Sequence, residues 1–128
     1  MQLNRIHHIA IIASDYERSK QFYVDTVGCE FLSEVFRAER DSWMGKLALN
    51  GEYILELFSF PDSPARVSGP ESVGLRHLAF EVPSVQAALA ELDAKGVAHE
   101  GLRIDPHTGK RMAFFRDPDG LPLELYEA

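Results

Sequence analysis

Two histidines and two glutamates sit in this chain inside strings that echo one another. His8 leads into Ile-Ala-Ile as His77 leads into Leu-Ala-Phe, and Glu56 in Leu55-Glu56-Leu57-Phe58 matches Glu124 in Leu123-Glu124-Leu125-Tyr126. An ionised carboxylate set among apolar strand residues is costly unless a cation or donor pairs with it. Two neutral imidazoles and two carboxylates together balance the charge of one divalent cation. Their mixed nitrogen and oxygen donors suit zinc, nickel, cobalt, manganese or iron better than calcium or copper(I), with zinc and nickel first. Any one of these residues alone reads as an ordinary strand residue; their joint recurrence points to one metal site.

The elements that must carry these donors follow from periodicity and punctuation. Residues 6–13 are apolar and β-branched apart from the two histidines and read as a strand. Ser14 and Glu17 have capping-box spacing for a helix that runs to about Val27 and stops at Gly28, with Tyr16, Ser19, Tyr23 and Val27 on its inner stripe. Residues 29–37, 47–50 and 52–58 read as three further strands, the last two joined by the hairpin signal Asn50-Gly51. After a proline-rich linker the pattern starts again. A strand over 74–82 precedes a helix capped by Ser84 with Val85, Ala88, Leu89 and Leu92 on one face, and Gly96 ends it. Strands over 97–104, 111–116 and 121–127 follow, the last two joined around Asp119-Gly120.

The chain is therefore a repeat of a βαβββ unit. Twenty residues carry it from His8 to Gly28 and nineteen from His77 to Gly96; from Gly28 to Glu56 and from Gly96 to Glu124 the spacing is 28 in both units. The repeat pairs His8, not His7, with His77, and alternation along a strand predicts that His7 faces away from whatever His8 faces. The expected fold class is α+β: one domain over 1–128 with a first module over about 5–60, a linker over about 61–73 and a second module over about 74–128. The modules are expected to form a cup-shaped mixed sheet around the metal, with helices on the convex face.

Composition excludes several alternatives. The 128 residues, 45% hydrophobic, suffice for a core without covalent staples. The single cysteine, Cys29, allows no internal disulfide and no Cys-rich zinc module, and it reads as a buried inert thiol. A net charge of −7 without a basic cluster argues against nucleic acid and anionic membranes. No apolar run approaches the roughly 20 residues of a membrane span, and the N-terminus lacks a signal-peptide core. A cytoplasmic location is expected.

Over essentially the whole chain, these motifs together with Asp117-Pro118-Asp119-Gly120 resemble the vicinal oxygen chelate superfamily, and most closely its short bacterial glyoxalase I-like members. The resemblance places the family's four metal ligands on His8, Glu56, His77 and Glu124. A glutamate at position 56 resembles glyoxalase I, whereas the family's methylmalonyl-CoA epimerases carry glutamine there, and its ring-cleaving dioxygenases and fosfomycin thiol transferases use two histidines and one glutamate. The resemblance thus implies a lyase or isomerase that moves a proton next to a carbonyl of a small oxygenated substrate, such as a thiol hemithioacetal, with Glu124 or Glu56 as base. The other metalloenzymes of the superfamily, and its non-catalytic ligand-binding proteins, are the alternatives. It also implies a homodimer, with the metal site within one chain or shared across the interface.

Two positions depart from glyoxalase I. Its arginine four residues after the first ligand, a glutathione contact, is Ile12 here, and its asparagine four residues after the first glutamate is Phe60. Glutathione is therefore not the expected thiol. Arg37, Arg40 and Trp43 in one charged loop, and Lys110 and Arg111 in another, are the candidate substrate contacts, because guanidinium and ammonium groups can clamp an anion. His99 and His107 have no counterpart in the repeat and read as surface residues.

Overall fold

In the computed structural model, which describes residues 1–128, the order is β1 (Ile9–Ala13), α1 (Tyr16–Gln21), β2 (Glu30–Arg37), β3 (Ser42–Leu49), β4 (Glu52–Ser59), β5 (Leu78–Val82), α2 (Val85–Ala94), β6 (Arg103–Ile104), β7 (Arg111–Arg116) and β8 (Pro122–Glu127). The strands make two four-stranded mixed sheets, ordered β1-β4-β3-β2 and β5-β8-β7-β6, and neither is closed. The fold is α+β, built of two βαβββ units: Met1–Ala65 and Arg66–Ala128.

In the first unit β4 lies between β1, which runs parallel to it, and β3, which runs antiparallel. Alternation along β4 sends Leu55 and Leu57, each 2% exposed, to the helix-covered face with Ile11, Leu47, Tyr16 and Tyr23. Each buried leucine contributes about 1.5–3 kcal/mol by transfer from water. The second unit repeats this plan. β8 lies between parallel β5 and antiparallel β7, and Leu123 and Leu125 join Val85, Leu89, Leu92, Ala113 and Phe115 in its core. Cys29 is buried, and burial first and Glu30 second push its thiol up to about 11, so it stays protonated and inert at neutral pH.

The ends of several elements differ from the sequence reading, each for a local reason. Asp15, not Ser14, caps α1: its side chain accepts the Arg18 N–H at 3.1 Å. The repeat carries this signal, because Asp15 follows His8 by seven residues as the α2 cap Ser84 follows His77. The helix does reach Val27, but Phe22–Val27 is π-helical before Gly28 closes it at φ 92°. That wider turn takes up the one extra residue between His8 and Gly28, since a π-turn is how a helix accommodates an insertion.

β3 starts at Ser42, five residues earlier than expected, because its antiparallel partner β2 extends pairing to Arg37↔Ser42. Over 97–104 only Arg103–Ile104 is strand, apart from an isolated His99↔Phe115 bridge. β1 and β5 begin at Ile9 and Leu78, where pairing with β4 and β8 begins. No helix is long and apolar enough to cross a membrane.

Candidate metal centre

Register places the two glutamates identically. In the first unit Glu56 of β4 lies beside Ala10 of β1 and Lys46 of β3; in the second, Glu124 of β8 lies beside Ala79 of β5 and Phe114 of β7. Each histidine stands two residues before that alanine, just ahead of its strand, and its ring turns to the carboxylate. His8 Nε2 is 3.8 Å from Glu56 Oε1, and His77 Nε2 is 3.0 Å from Glu124 Oε2. The leucines flanking each glutamate point to the helix side, so both carboxylates point to the face that the helix leaves free.

The two pairs are held differently. Tyr53 donates its hydroxyl to Glu56 Oε2 at 2.8 Å, leaving Oε1 toward His8, and its ring stacks on His8 at 5.0 Å and 10°. Burial first, then the bond to Glu56, push the Tyr53 hydroxyl up to about 12, so at neutral pH it remains a donor. Leu121 stands at the equivalent place in the second unit, three residues before Glu124, and has no hydroxyl to offer. Glu124 is the more buried of the two glutamates, and the Phe114 and His77 rings meet in a T-shaped contact with centroids 5.3 Å apart. Arg76 Nη1 lies 3.1 Å from His77 Nδ1.

The donor chemistry fits a divalent cation. Each pair sets an imidazole nitrogen against a carboxylate oxygen on a sheet face. No group of three or more His, Cys, Asp or Glu side chains suited to a metal ion occurs, and each unit by itself holds one two-donor half.

His7 departs from the expectation that it faces away from His8. Its Nδ1 lies 2.8 Å from His8 Nδ1, and its ring meets Tyr53 edge-on at 5.5 Å. Both histidines precede the β1–β4 ladder, so strand alternation does not apply to them.

The candidate substrate residues fall on both faces. Arg37 donates to Ser42 Oγ at 3.0 Å and lies over the Phe58 ring at 5.0 Å, while Arg40 lies over Phe60 at 5.1 Å; Phe58 is two residues along β4 from Glu56 and shares its face. Trp43 is on the opposite face, since Lys46 and Met44 pair with Glu56 and Phe58 and odd-numbered β3 residues point the other way. There it stacks on Tyr16 at 5.4 Å and lines a cavity of about 520 Å³ with Glu34, Asp41 and Phe60. Arg111 likewise faces the α2 side, lining a cavity with Leu89, Asp93 and His99, and Lys110 is exposed in the preceding loop. His99 is more than a surface residue: it is held by Asp93 at 2.7 Å and accepts the Gly101 N–H at 3.1 Å.

Sequence reasoning missed Tyr53, whose hydroxyl and ring meet Glu56 and His8. Arg116, two residues along β7 from Phe114, shares the face of Glu124.

Comparison with known proteins agrees with the fold. The chain is 60% identical to the uncharacterized protein YaeR of Escherichia coli (strain K12) over 98% of its own length and 97% of that protein's. It is 48% identical, with a TM-score of 0.91, to the crystal structure of a glyoxalase family protein from Enterococcus faecalis, covering 99% of this chain and 100% of that one. Fainter likeness, at 26–30% identity, extends to a lactoylglutathione lyase of Schizosaccharomyces pombe, of which the match covers 48%, a methylmalonyl-CoA epimerase of Mus musculus (75%) and a catechol-2,3-dioxygenase of Bacillus subtilis (36%), over 98%, 99% and 86% of this chain. The family description that matches, over residues 5–125, is glyoxalase/bleomycin resistance protein/dioxygenase superfamily, and this chain belongs to that superfamily.

Proposed function

We propose that this chain is a divalent-metal-dependent lyase or isomerase of the glyoxalase I type, moving a proton next to a carbonyl in a small oxygenated substrate. The observation that carries this reading is the duplicated His–Glu pair, set in the same register in both units. His8, Glu56, His77 and Glu124 would hold the metal, zinc or nickel by donor type, with cobalt, manganese or iron also compatible. When bound, a divalent cation supplies Lewis-acid polarisation of the substrate's oxygens. The reading includes a cytoplasmic homodimer, with the cation held within one chain or between partner chains.

The chain's own groups divide the remaining work. Glu56 is anchored through Oε2 by Tyr53, which favours a fixed ligand. Glu124 has no such hydroxyl, only the His77 contact, which favours it as the carboxylate that takes and returns the proton. The likeness to a lactoylglutathione lyase supports the reaction class. Ile12 and Phe60 argue against glutathione: Ile12 is 54% exposed on the Glu56 face, and Phe60 stacks on Phe58, so neither offers a charge-assisted bond to a peptide.

The test combines metal analysis with a substrate panel on Glu56→Gln and Glu124→Gln. Glutamine still coordinates through its carbonyl oxygen but cannot accept a proton. Glu124→Gln should keep its metal and lose about 100- to 10,000-fold in turnover. Full activity in both variants would sink the proton-transfer reading.

A further inference from the structure

The face of the second unit that carries Glu124 also carries a cavity of about 570 Å³ with four arginines in its wall: Arg66, Arg76, Arg103 and Arg116. Two carboxylates, Glu71 and Glu100, line it as well, leaving two positive charges uncompensated in a chain whose net charge is −7. Local charge opposite to the molecule's own marks a built feature more than an average surface.

The four guanidiniums are not equally free. Arg66 is committed to the backbone, donating to the carbonyls of Leu75 and Arg76 at 2.8 and 3.0 Å and to Ser68 Oγ at 2.8 Å. Arg76 holds Glu71 at 3.0 Å. Arg103 and Arg116 share the single carboxylate of Glu100, each at 3.5 Å and each about half exposed, and Arg116 Nη1 also makes one long bond, 3.3 Å, to the Gly120 carbonyl. Such long, solvated pairs are worth little, so an incoming oxyanion competes with Glu100 on favourable terms. Arg103 lies over the Phe114 ring at 5.2 Å, and the same ring meets His77 in a T-shaped contact. One aromatic ring therefore separates this guanidinium from the histidine of the candidate metal centre.

We infer that Arg103 and Arg116 form an oxyanion subsite, so that the substrate carries a carboxylate or phosphate group that docks there while its reacting end lies toward His77 and Glu124. This substrate class rests on the metal-centre reading for its reacting end, while the anion subsite stands on the arginines alone. The planar fork of each guanidinium matches either oxyanion, and Phe114 offers an apolar wall to the carbon between the two ends.

Calorimetric titration with inorganic phosphate and, separately, with acetate tests the subsite and tells the two headgroups apart. Saturable binding of at least one probe is expected, with a Kd of about 1 mM or tighter. Arg103→Gln and Arg116→Gln should each weaken it about tenfold or more, and Lys95→Gln, exposed at the end of α2 and outside the cavity, should leave it unchanged. No saturable binding, equal weakening by Lys95→Gln, or binding that His77→Ala abolishes while both arginine variants retain it would overturn the inference. Metal content is measured on the same samples. A chain that binds the probe through its arginines but takes up no metal refutes the metal-centre reading and leaves the subsite standing. If the glutamine variants do not fold, phenylglyoxal modification of the wild type decides: phosphate or acetate must slow the labelling of Arg103 and Arg116, and unchanged labelling refutes the subsite.

Discussion

Tyr53→Phe removes one oxygen atom and isolates what that hydroxyl does for Glu56. The bond it deletes is 2.8 Å long and ends on a carboxylate, and such bonds are worth about 1.5–3 kcal/mol. The Glu56 side chain is 16% exposed, so water can reach Oε2 once the phenol is gone, and the lower end of that range applies. About 1.5 kcal/mol is about a tenfold change in an equilibrium constant. The phenyl ring stays and keeps the stack on His8, so the loss falls on the orientation of Glu56 alone. On the reading of Glu56 as a metal ligand, zinc affinity should fall about tenfold, the usual size for a group that orients a ligand. Because the hydroxyl is pushed up to about 12, the ratio between wild type and variant should be flat across neutral pH. Competition with a fluorescent zinc chelator measures it. Tyr53→Leu, which also removes the stack, should lose more. Wild-type zinc affinity in Tyr53→Phe would refute the claim that this hydroxyl sets the carboxylate.

Further outcomes follow from the packing. A methyl group at Gly45 would collide with the Tyr16 hydroxyl and come within 3.2 Å of its ring carbon, so Gly45→Ala should destabilise by about 1–3 kcal/mol in urea unfolding. Tyr16 first and Lys20 after it hold the Glu34 carboxyl below the usual carboxylate range. Its contribution to stability is therefore complete above the ordinary glutamate pKa of about 4.3 and is lost as pH falls through the depressed value; the difference in urea midpoint between wild type and Glu34→Gln should shrink on acidification. Asp117 is buried, and its Oδ1 accepts the N–H groups of Asp119 and Leu121, both at 2.9 Å, so Asp117→Ala should lower the melting temperature through about 1–3 kcal/mol of lost hydrogen bonding before β8.

Much of this architecture was legible before any coordinates, because it is encoded by local rules applied twice. The equal 28-residue spacing from helix-ending glycine to glutamate predicts matched strand positions, and the registers Ala10↔Glu56 and Ala79↔Glu124 are the result. Asn50 and Gly51 both adopt positive φ, as the two-residue hairpin demands. Leu55, Leu57, Leu123 and Leu125 fall into the cores by alternation alone. Even the extra residue before Gly28 is visible as an unequal spacing, although only the structure shows it absorbed as a π-turn.

What the tertiary structure decided are relations between residues far apart in sequence, or outside any regular element. A glycine inside a strand reads as a weak point; packing makes Gly45 the seat of Tyr16. His7 lost its expected orientation because strand periodicity governs only residues inside a ladder. Trp43 and Arg111 were candidates by chemistry, and the pleat turned both to the helix side. Arg103 and Arg116 meet because a short strand beside β7 brings Glu100 between them, and the segment before β5 adds Arg66 and Arg76 to the same wall. Donor types and spacings are properties of the chain, whereas the meeting of guanidiniums from three segments depends on how loops close over a sheet, which no local period records.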